Sequence, residues 1–511
     1  MKIRDILIAV SALAGTMTAS ADSIASLDYR ASVIANVSTG DFAPYMLGSW
    51  NYGKVTEKSG VWQNGYIGKR LDRSSRFSWS AGFEYMLGYG TAAHYDDYRA
   101  MEGGHPSTRA SRQAPARVQQ LFGELKYRGA YLLAGMKERR SGIVDDRLSS
   151  GDLVRSNNAR PIPGIAAGFV DFQDIPFTNR WVQIDGEIMY GRFCDTRFEE
   201  KRFNYYSGYL DGDLCYTYKR CYFRTRPDMP LSVTVGMQAA GEFGGYTHLY
   251  RDGKLVLTQD RGFHFKDIFD MFFPTEGNGE DYYKGNSLGS WDFKARYALR
   301  NGARISAYFQ WPWEDGSGIG RQNGWDGLWG VQYDFAPGSP VSSVVLEYLD
   351  FTNQSGPIHW ATGDNPGTDV TEEITGGDNY YNNNYYGAYA NYGMAIGSPF
   401  LVSPLYNLNG FLEFLHNRAR GFHAAVAGAF GTVEYRAMLS YQKAGGMGRI
   451  PAPQRLHDTS AMLEAAWRPA RALPGLQLKA AVAVDAGNLR GNNFGALVAV
   501  SYTGSFKFRK K

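Results

Sequence analysis

The chain has 511 residues, and its 54 basic side chains nearly balance 50 acidic ones, leaving a formal charge of +4. So small a charge indicates neither a nucleic-acid partner nor a polybasic membrane patch, and three cysteines exclude a disulfide-built scaffold. The 61 Gly, 35 Tyr and 15% aromatic residues favour tilted strands whose alternate residues face a polar interior.

The chain opens with Lys2 and Arg4, the apolar run 6–14 and the small-residue stretch Ala19-Ser20-Ala21. This reads as a secretory signal peptide over residues 1–21, cut after Ala21. No Cys follows the cut, so a lipoprotein anchor is not expected. No later run of eighteen or more apolar residues predicts a transmembrane helix. Residues 22–511 are then expected to form one barrel.

Alternation with period two recurs along the whole chain. It is clearest near the end, where Phe494, Ala496, Val498, Val500, Tyr502 and Phe506 oppose Ser501, Thr503, Ser505 and Lys507. About eighteen strands are predicted. They start near Ala43, Val61, Phe77, Gln119, Tyr131, Ile165, Trp181, Leu214, Leu231, Trp291, Ala303, Leu328, Val341, Gly421, Val433, Thr459, Leu476 and Phe494, with Tyr29 to Val37 as an extra unplaced candidate. A soluble sandwich alternates in the same way, but several segments run to nine to eleven residues, the length that crosses a membrane at a tilt. Tight connections such as Arg128-Gly129 and 300–302 alternate with long polar ones at 90–118, 193–213, 244–290, 313–327 and 351–408. That asymmetry predicts an antiparallel outer-membrane β-barrel with short periplasmic turns and long extracellular loops. Residues 263–273, FHFKDIFDMFF, are apolar enough to form a helix or lid that could fold inward. Cys215 and Cys221 would lie about 20 Å apart on one strand at ~3.3 Å per residue, too far to pair. A bridge from Cys194 to one of them and free thiols are both compatible with the spacing.

The loop 139–165, RRSGIVDDRLSSGDLVRSNNARPIPGI, is expected to face outward. Its Arg139, Arg140, Arg147, Arg155 and Arg160, with Asn157, stand among Asp145, Asp146 and Asp152. They could constrict the lumen or bind an acidic polysaccharide; equally, they could form a self-neutralising salt-bridge network. A second group lies in a late loop, with Trp360 beside His359 and then Tyr380, Tyr381, Tyr385 and Tyr386 in DNYYNNNYYGAYANY. Rings pack on the apolar face of a pyranose while amides bond its hydroxyls; the same residues could serve as loop packing or an aromatic girdle. Residues 285–289 match G-x-S-x-G, but the motif needs a strand before it and a helix after it. Here a strand follows, so a turn entering a strand is expected. No P-loop, H-E-x-x-H or zinc spacing appears, and no cofactor or metal is expected.

Several blocks resemble the Wzi family of outer-membrane capsule assembly proteins. They are GMKERRSGIVDDRLSSGDLVRSNNARPIPGI (135–165), WVQIDGEIMYGRF (181–193), AAGEFGG (239–245), NSLGSWDF (286–293), SSVVLEYLDFTNQSGPIHW (342–360), DNYYNNNYYGAYANYGMAIGSPFLVSPLYN (378–407) and TSAMLEAAWRPAR (459–471). The resemblance implies an eighteen-stranded barrel in the cell outer membrane. It further implies a non-enzymatic lectin that holds capsular polysaccharide and helps to order the capsule, without a cofactor. Better-studied members carry a helical bundle before the barrel, and residues 22–43 leave no room for one, so this chain resembles the branch without it. The blocks align, but individual sugar contacts do not transfer. A monomer is expected, in contact with outer-membrane lipid and lipopolysaccharide. Two other readings use the same barrel: a passive porin or saccharide-uptake channel, and a surface hydrolase built on loop carboxylates.

Overall fold

The computed structural model describes residues 26–508, except 206–207, 273–284, 315, 357–358, 361–373, 376, 384, 449 and 470–471. Eighteen antiparallel strands close into a barrel. In chain order they are β1 (Ser26–Ser38), β2 (Gly60–Lys69), β3 (Phe77–Gly90), β4 (Ala116–Tyr127), β5 (Ala130–Met136), β6 (Gly164–Phe169, continued after a break by Gln173–Asp174), β7 (Val182–Arg192), β8 (Cys215–Thr225), β9 (Leu231–Phe243), β10 (Gly285–Ala298), β11 (Arg304–Trp313), β12 (Gly327–Asp334), β13 (Val341–Asp350), β14 (Ala419–Phe430), β15 (Val433–Gly446), β16 (Pro451–Trp467), β17 (Leu476–Gly487) and β18 (Asn493–Lys507). Each pairs with its neighbours in sequence. β1 closes the ring against β18, in a register that runs from Ser26 opposite Lys507 to Ser38 opposite Gly495.

One predicted strand is corrected. The segment near Ala43 is not in the wall: Tyr45–Gly48 is a single helical turn whose four residues are all buried. The closing strand is the stretch from Tyr29 to Val37 that could not be placed. Both segments are apolar; what separates them is hydrogen bonding. An open barrel would leave two unpaired edges in lipid, and Ser26–Ser38 is long enough to pair along the whole of β18.

Apolar side chains point outward along each strand. In β18, Val498, Val500 and Tyr502 are exposed, whereas Leu497 and Ala499 are buried. This inverts a soluble protein, because the solvent on that side is hydrocarbon. One end of the barrel carries tight connections. At Arg128-Gly129 two residues link β4 to β5, with Arg128 at φ 54, as a two-residue hairpin turn requires. Ser26 and Lys507, the outermost paired residues of β1 and β18, lie at this end. The other end carries the long connections, although its last two are short, 447–450 and 488–492.

Two inserts enter the barrel from the long-connection end. Residues 39–59 lay Tyr45, Met46 and Leu47 against Val345, Ala425, Met438, Met462, Ala481 and Leu497 of β13 to β18. Alanines on that wall leave room for the helical turn. The second insert is the loop between β5 and β6.

Candidate functional site

That loop, residues 137–163, belongs to the outer end, as expected, and folds inward as a plug. It leaves and re-enters the wall at the outer end, but between those points it crosses the lumen. On one wall Arg139 Nη1 donates to Glu187 Oε2 of β7 at 2.6 Å and to the Tyr131 hydroxyl at 2.8 Å. Arg155 Nη1 donates to Glu187 Oε1 at 2.8 Å and lies 3.6 Å over the Tyr218 ring. At mid-lumen Asp152, 0% exposed, accepts from the side-chain amides of Gln238 on β9 and Gln310 on β11. Ser150 N donates to Glu347 of β13 at 2.7 Å. On the far wall His423 of β14 bonds the Leu148 carbonyl at 2.8 Å, and Arg436, near the inner end of β15, donates to the Arg147 carbonyl at 2.7 Å.

The loop's ionic partners therefore differ from those expected in a self-neutralising loop. Arg139 and Arg155 pair with a wall glutamate, and Asp146 and Asp152 accept from amides and a hydroxyl. Burial works against the Arg155 charge, but Glu187 holds its pKa well above the ordinary value. Burial lowers the Arg160 pKa despite nearby Tyr392, whose ring lies 3.9 Å under its guanidinium. Burial raises the Asp146 carboxyl, which accepts from Ser141. Asn157 Nδ2 donates to the Asp146 carbonyl at 3.0 Å. Gly151 makes the inward bend possible: its φ is +110°, and a Cβ there would stand 2.7 Å from Pro399 Cδ.

The tyrosine-rich stretch seals the loop from above. Ser156 Oγ donates to the Gly397 carbonyl at 2.6 Å, Asn158 Nδ2 to Ala395 at 3.0 Å, and Tyr389 Oη to Val154 at 2.8 Å. Tyr381 donates its hydroxyl to Leu153 and accepts from Ser398 N. Tyr380 donates to Asp326 at 3.1 Å, and Tyr386 is buried under Arg261. The cavity left where Tyr52, Arg139, Arg155, Arg160 and Tyr216 meet is about 50 Å³, enough for a few waters.

The structure thus brings Arg139, Arg155, Asn157, Arg160, Tyr380, Tyr381 and Tyr386 together as buried packing of plug and cap. Arg140 and Arg147 have exposed side chains. Tyr385 is half-buried against the core, its ring 6.0 Å from Tyr209. The backbone of Trp360 pairs with Ile374, and its side chain lies outside the described residues. The serine of the 285–289 motif lies within β10, with no elbow. The three cysteines are free thiols. Phe265–Asp270 forms the expected helix, but it does not fold into the lumen.

A second aromatic group was missed by sequence reasoning. Beyond the barrel, Gly208–Gly212, Gly245–Arg251 and Lys254–Gly262 form a three-stranded sheet. Tyr246, His248 and Tyr250 share one face, with Tyr246 and His248 4.7 Å apart. Tyr250 lies 5.1 Å from Tyr205, over which Arg99 lies at 4.8 Å. The alternation in GYTHLYR was the available signal. Beneath this sheet, Asp211 accepts from Thr247 and lies 3.6 Å from Arg261. Burial nevertheless pushes its carboxyl up to about 7.

Residues 148–401 match the family described as capsule assembly protein Wzi. No curated protein sequence matches the chain. Among solved structures, the chain is similar to Wzi of Escherichia coli, an outer membrane protein involved in group 1 capsule assembly and described as a carbohydrate-binding β-barrel. The identity is 14% and the TM-score 0.54, over 98% of this chain and 88% of that one. It also matches Pseudomonas aeruginosa OccK3 (OpdO) at 10% identity and TM-score 0.46, over 94% and 96% of the two chains. Acinetobacter baumannii OccAB2 matches at 10% and 0.47, over 94% and 98%. With a closed barrel and a matched segment that runs from the plug through the cap, this outer-membrane chain belongs to the Wzi family of capsule assembly proteins.

Proposed function

We propose that the protein is a non-enzymatic lectin that binds capsular polysaccharide at the cell surface and supports capsule attachment. The observation that carries this reading is the plug. Residues 139–160 bond to β7, β9, β11, β13, β14 and β15, an arrangement that favours holding a polymer outside the barrel over passing one through it. In this reading Arg139, Arg155, Asn157, Arg160, Tyr380, Tyr381 and Tyr386 are constriction residues. The polymer meets the outer face, where Tyr246, His248 and Tyr250 with Arg99 offer ring faces and a cation, and Tyr385 with Tyr209 offers a second pair. Arg140 and Trp360 remain candidate contacts, whereas Arg147 stands near the inner end of the lumen beside Arg436. After cleavage following Ala21, the mature chain would occupy the membrane as a monomer.

The test is a pull-down of native capsule by purified full-length protein. Binding by the wild type, weakened in a Tyr246→Ala/Tyr250→Ala double variant and retained in Arg155→Met, is expected. Absence of binding by the wild type, or shortening of the capsule during incubation, would overturn the proposal.

A further inference from the structure

The outside of the barrel carries a cavity that shares Tyr246 with the aromatic face of the outer sheet but lies against the wall. Across the lipid face near the outer rim, Ile165 of β6, Tyr190 of β7 and Thr217 of β8 stand in one row of facing residues, continued by Gly241 of β9. Ile188 and Phe223 continue the same outward alternation deeper in the wall and are exposed. Residues 263–272 lie over this row from outside. The Tyr190 hydroxyl donates to the Ile268 carbonyl at 2.7 Å. Met271 fills a groove that exists because Gly241 and Gly285 lack side chains: a Cβ at either would come within 2.6 Å of its thioether end. Lys219, on the lipid face one row deeper, donates its ammonium to the Met271 and Phe272 carbonyls.

Two features place this lid in lipid rather than water. A bare ammonium on the lipid face costs up to roughly 2–4 kcal/mol at the bilayer midplane, and the lid's terminal carbonyls satisfy it. The side chains that the lid turns away from the wall include Phe265 and Phe269, 80% and 73% exposed, beside exposed His264 and Lys266. An amphipathic segment with aromatic residues on its free side lies in the membrane interface.

Between lid and wall remains a cavity of about 590 Å³, lined by Ile165, Tyr190, Cys215, Phe243, Phe263 and Ile268 among others. Small-ligand pockets span roughly 300–1,000 Å³. Its walls are apolar and continuous with the lipid-facing belt. Its rim is charged, with Arg192 bonded to Asp213 at 2.9 Å. We propose that this cavity holds one acyl chain of a phosphorylated outer-leaflet glycolipid, with residues 263–272 as its lid and Arg192 beside the headgroup phosphate.

Full-length protein in nanodiscs of phosphatidylethanolamine with lipopolysaccharide would be diluted into lipid-free amphipol, and the retained lipid measured by native mass spectrometry. One lipopolysaccharide per barrel is expected. Cys215→Trp, which fills the cavity, should lower its occupancy at least tenfold, while Leu231→Trp, on the lipid face at the inner end of β9, should not. No retention, retention of phosphatidylethanolamine alone, or equal loss in both variants would overturn the site. A second measurement keeps the cavity wall intact. In a Cys194→Ser/Cys221→Ser chain, alkylation of Cys215 should slow at least tenfold when lipopolysaccharide joins phosphatidylethanolamine in the bilayer. An unchanged rate would overturn the proposal.

Discussion

Glu187 is the residue on which the plug's charge balance turns, and Glu187→Ala tests it. The carboxylate is 3% exposed and accepts from Arg139 at 2.6 Å and Arg155 at 2.8 Å, whose side chains are themselves 16% and 12% exposed. Removing one partner of a buried pair costs about 3–5 kcal/mol, because the charge left behind is uncompensated. Here two guanidiniums are stranded, each keeping one aromatic contact, to Tyr131 and Tyr218. The lower figure is therefore the safer one. At about 1.4 kcal/mol per tenfold, ~3 kcal/mol raises the population of released plug roughly a hundredfold. Trypsin reads this directly, because Arg140, Arg147 and Arg155 lie in the plug, and cleavage of a transiently opened segment tracks its open population. Cleavage within 140–160 should accelerate about a hundredfold while the barrel stays folded by heat-modifiable mobility. Adding Arg139→Met and Arg155→Met should recover most of the protection. A Glu187→Ala rate within threefold of wild type would refute the view that this ion cluster holds the plug.

Replacing residues 140–158 by a short Gly/Ser linker should turn a non-conducting protein into a steady channel in planar bilayers; identical traces would show that the plug does not close the lumen. Tyr250→Ala should weaken capsule binding about tenfold, on the order of 1–2 kcal/mol, by pull-down titration. Burial raises Asp211 from 3.8 to about 7, so the folded sheet holds a proton that the unfolded chain releases. Its stabilising contribution is full below pH 3.8 and lost as pH rises toward 7. Hydrogen exchange in the outer sheet, corrected for intrinsic rate, should then be slower at pH 5 than at pH 8, and Asp211→Asn should remove the difference. By contrast Glu434→Ala, which breaks a pair with Arg468 whose side chains are 44% and 52% exposed, should change stability by less than about 1 kcal/mol.

Most of the wall was legible from alternation alone, because strand period and membrane thickness both act locally. Seventeen of the eighteen predicted starts correspond to wall strands. The exception is instructive. Ala43 and Tyr29 both head apolar stretches, and only the pairing of β1 with β18 decides which one closes the ring. The candidate residues were legible as a set, but their partners were not. Arg155 finds Glu187 32 residues away, and Leu148 finds His423 at a separation of 275. In sequence the loop's own Asp145, Asp146 and Asp152 are nearer, but distance along the chain says nothing about which wall faces a loop once the barrel has closed.

The sequence by itself determined an outer-membrane barrel with its long loops at one end, because alternating segments of nine to eleven residues match the membrane's thickness and long connections alternate with short ones. Only the tertiary structure decided that 139–163 turns inward and 263–272 outward. Both segments leave the same end of the barrel. Their destinations follow from where charge and apolar surface are satisfied: arginines and aspartates on the carboxylates and amides of the lumen, phenylalanines against lipid.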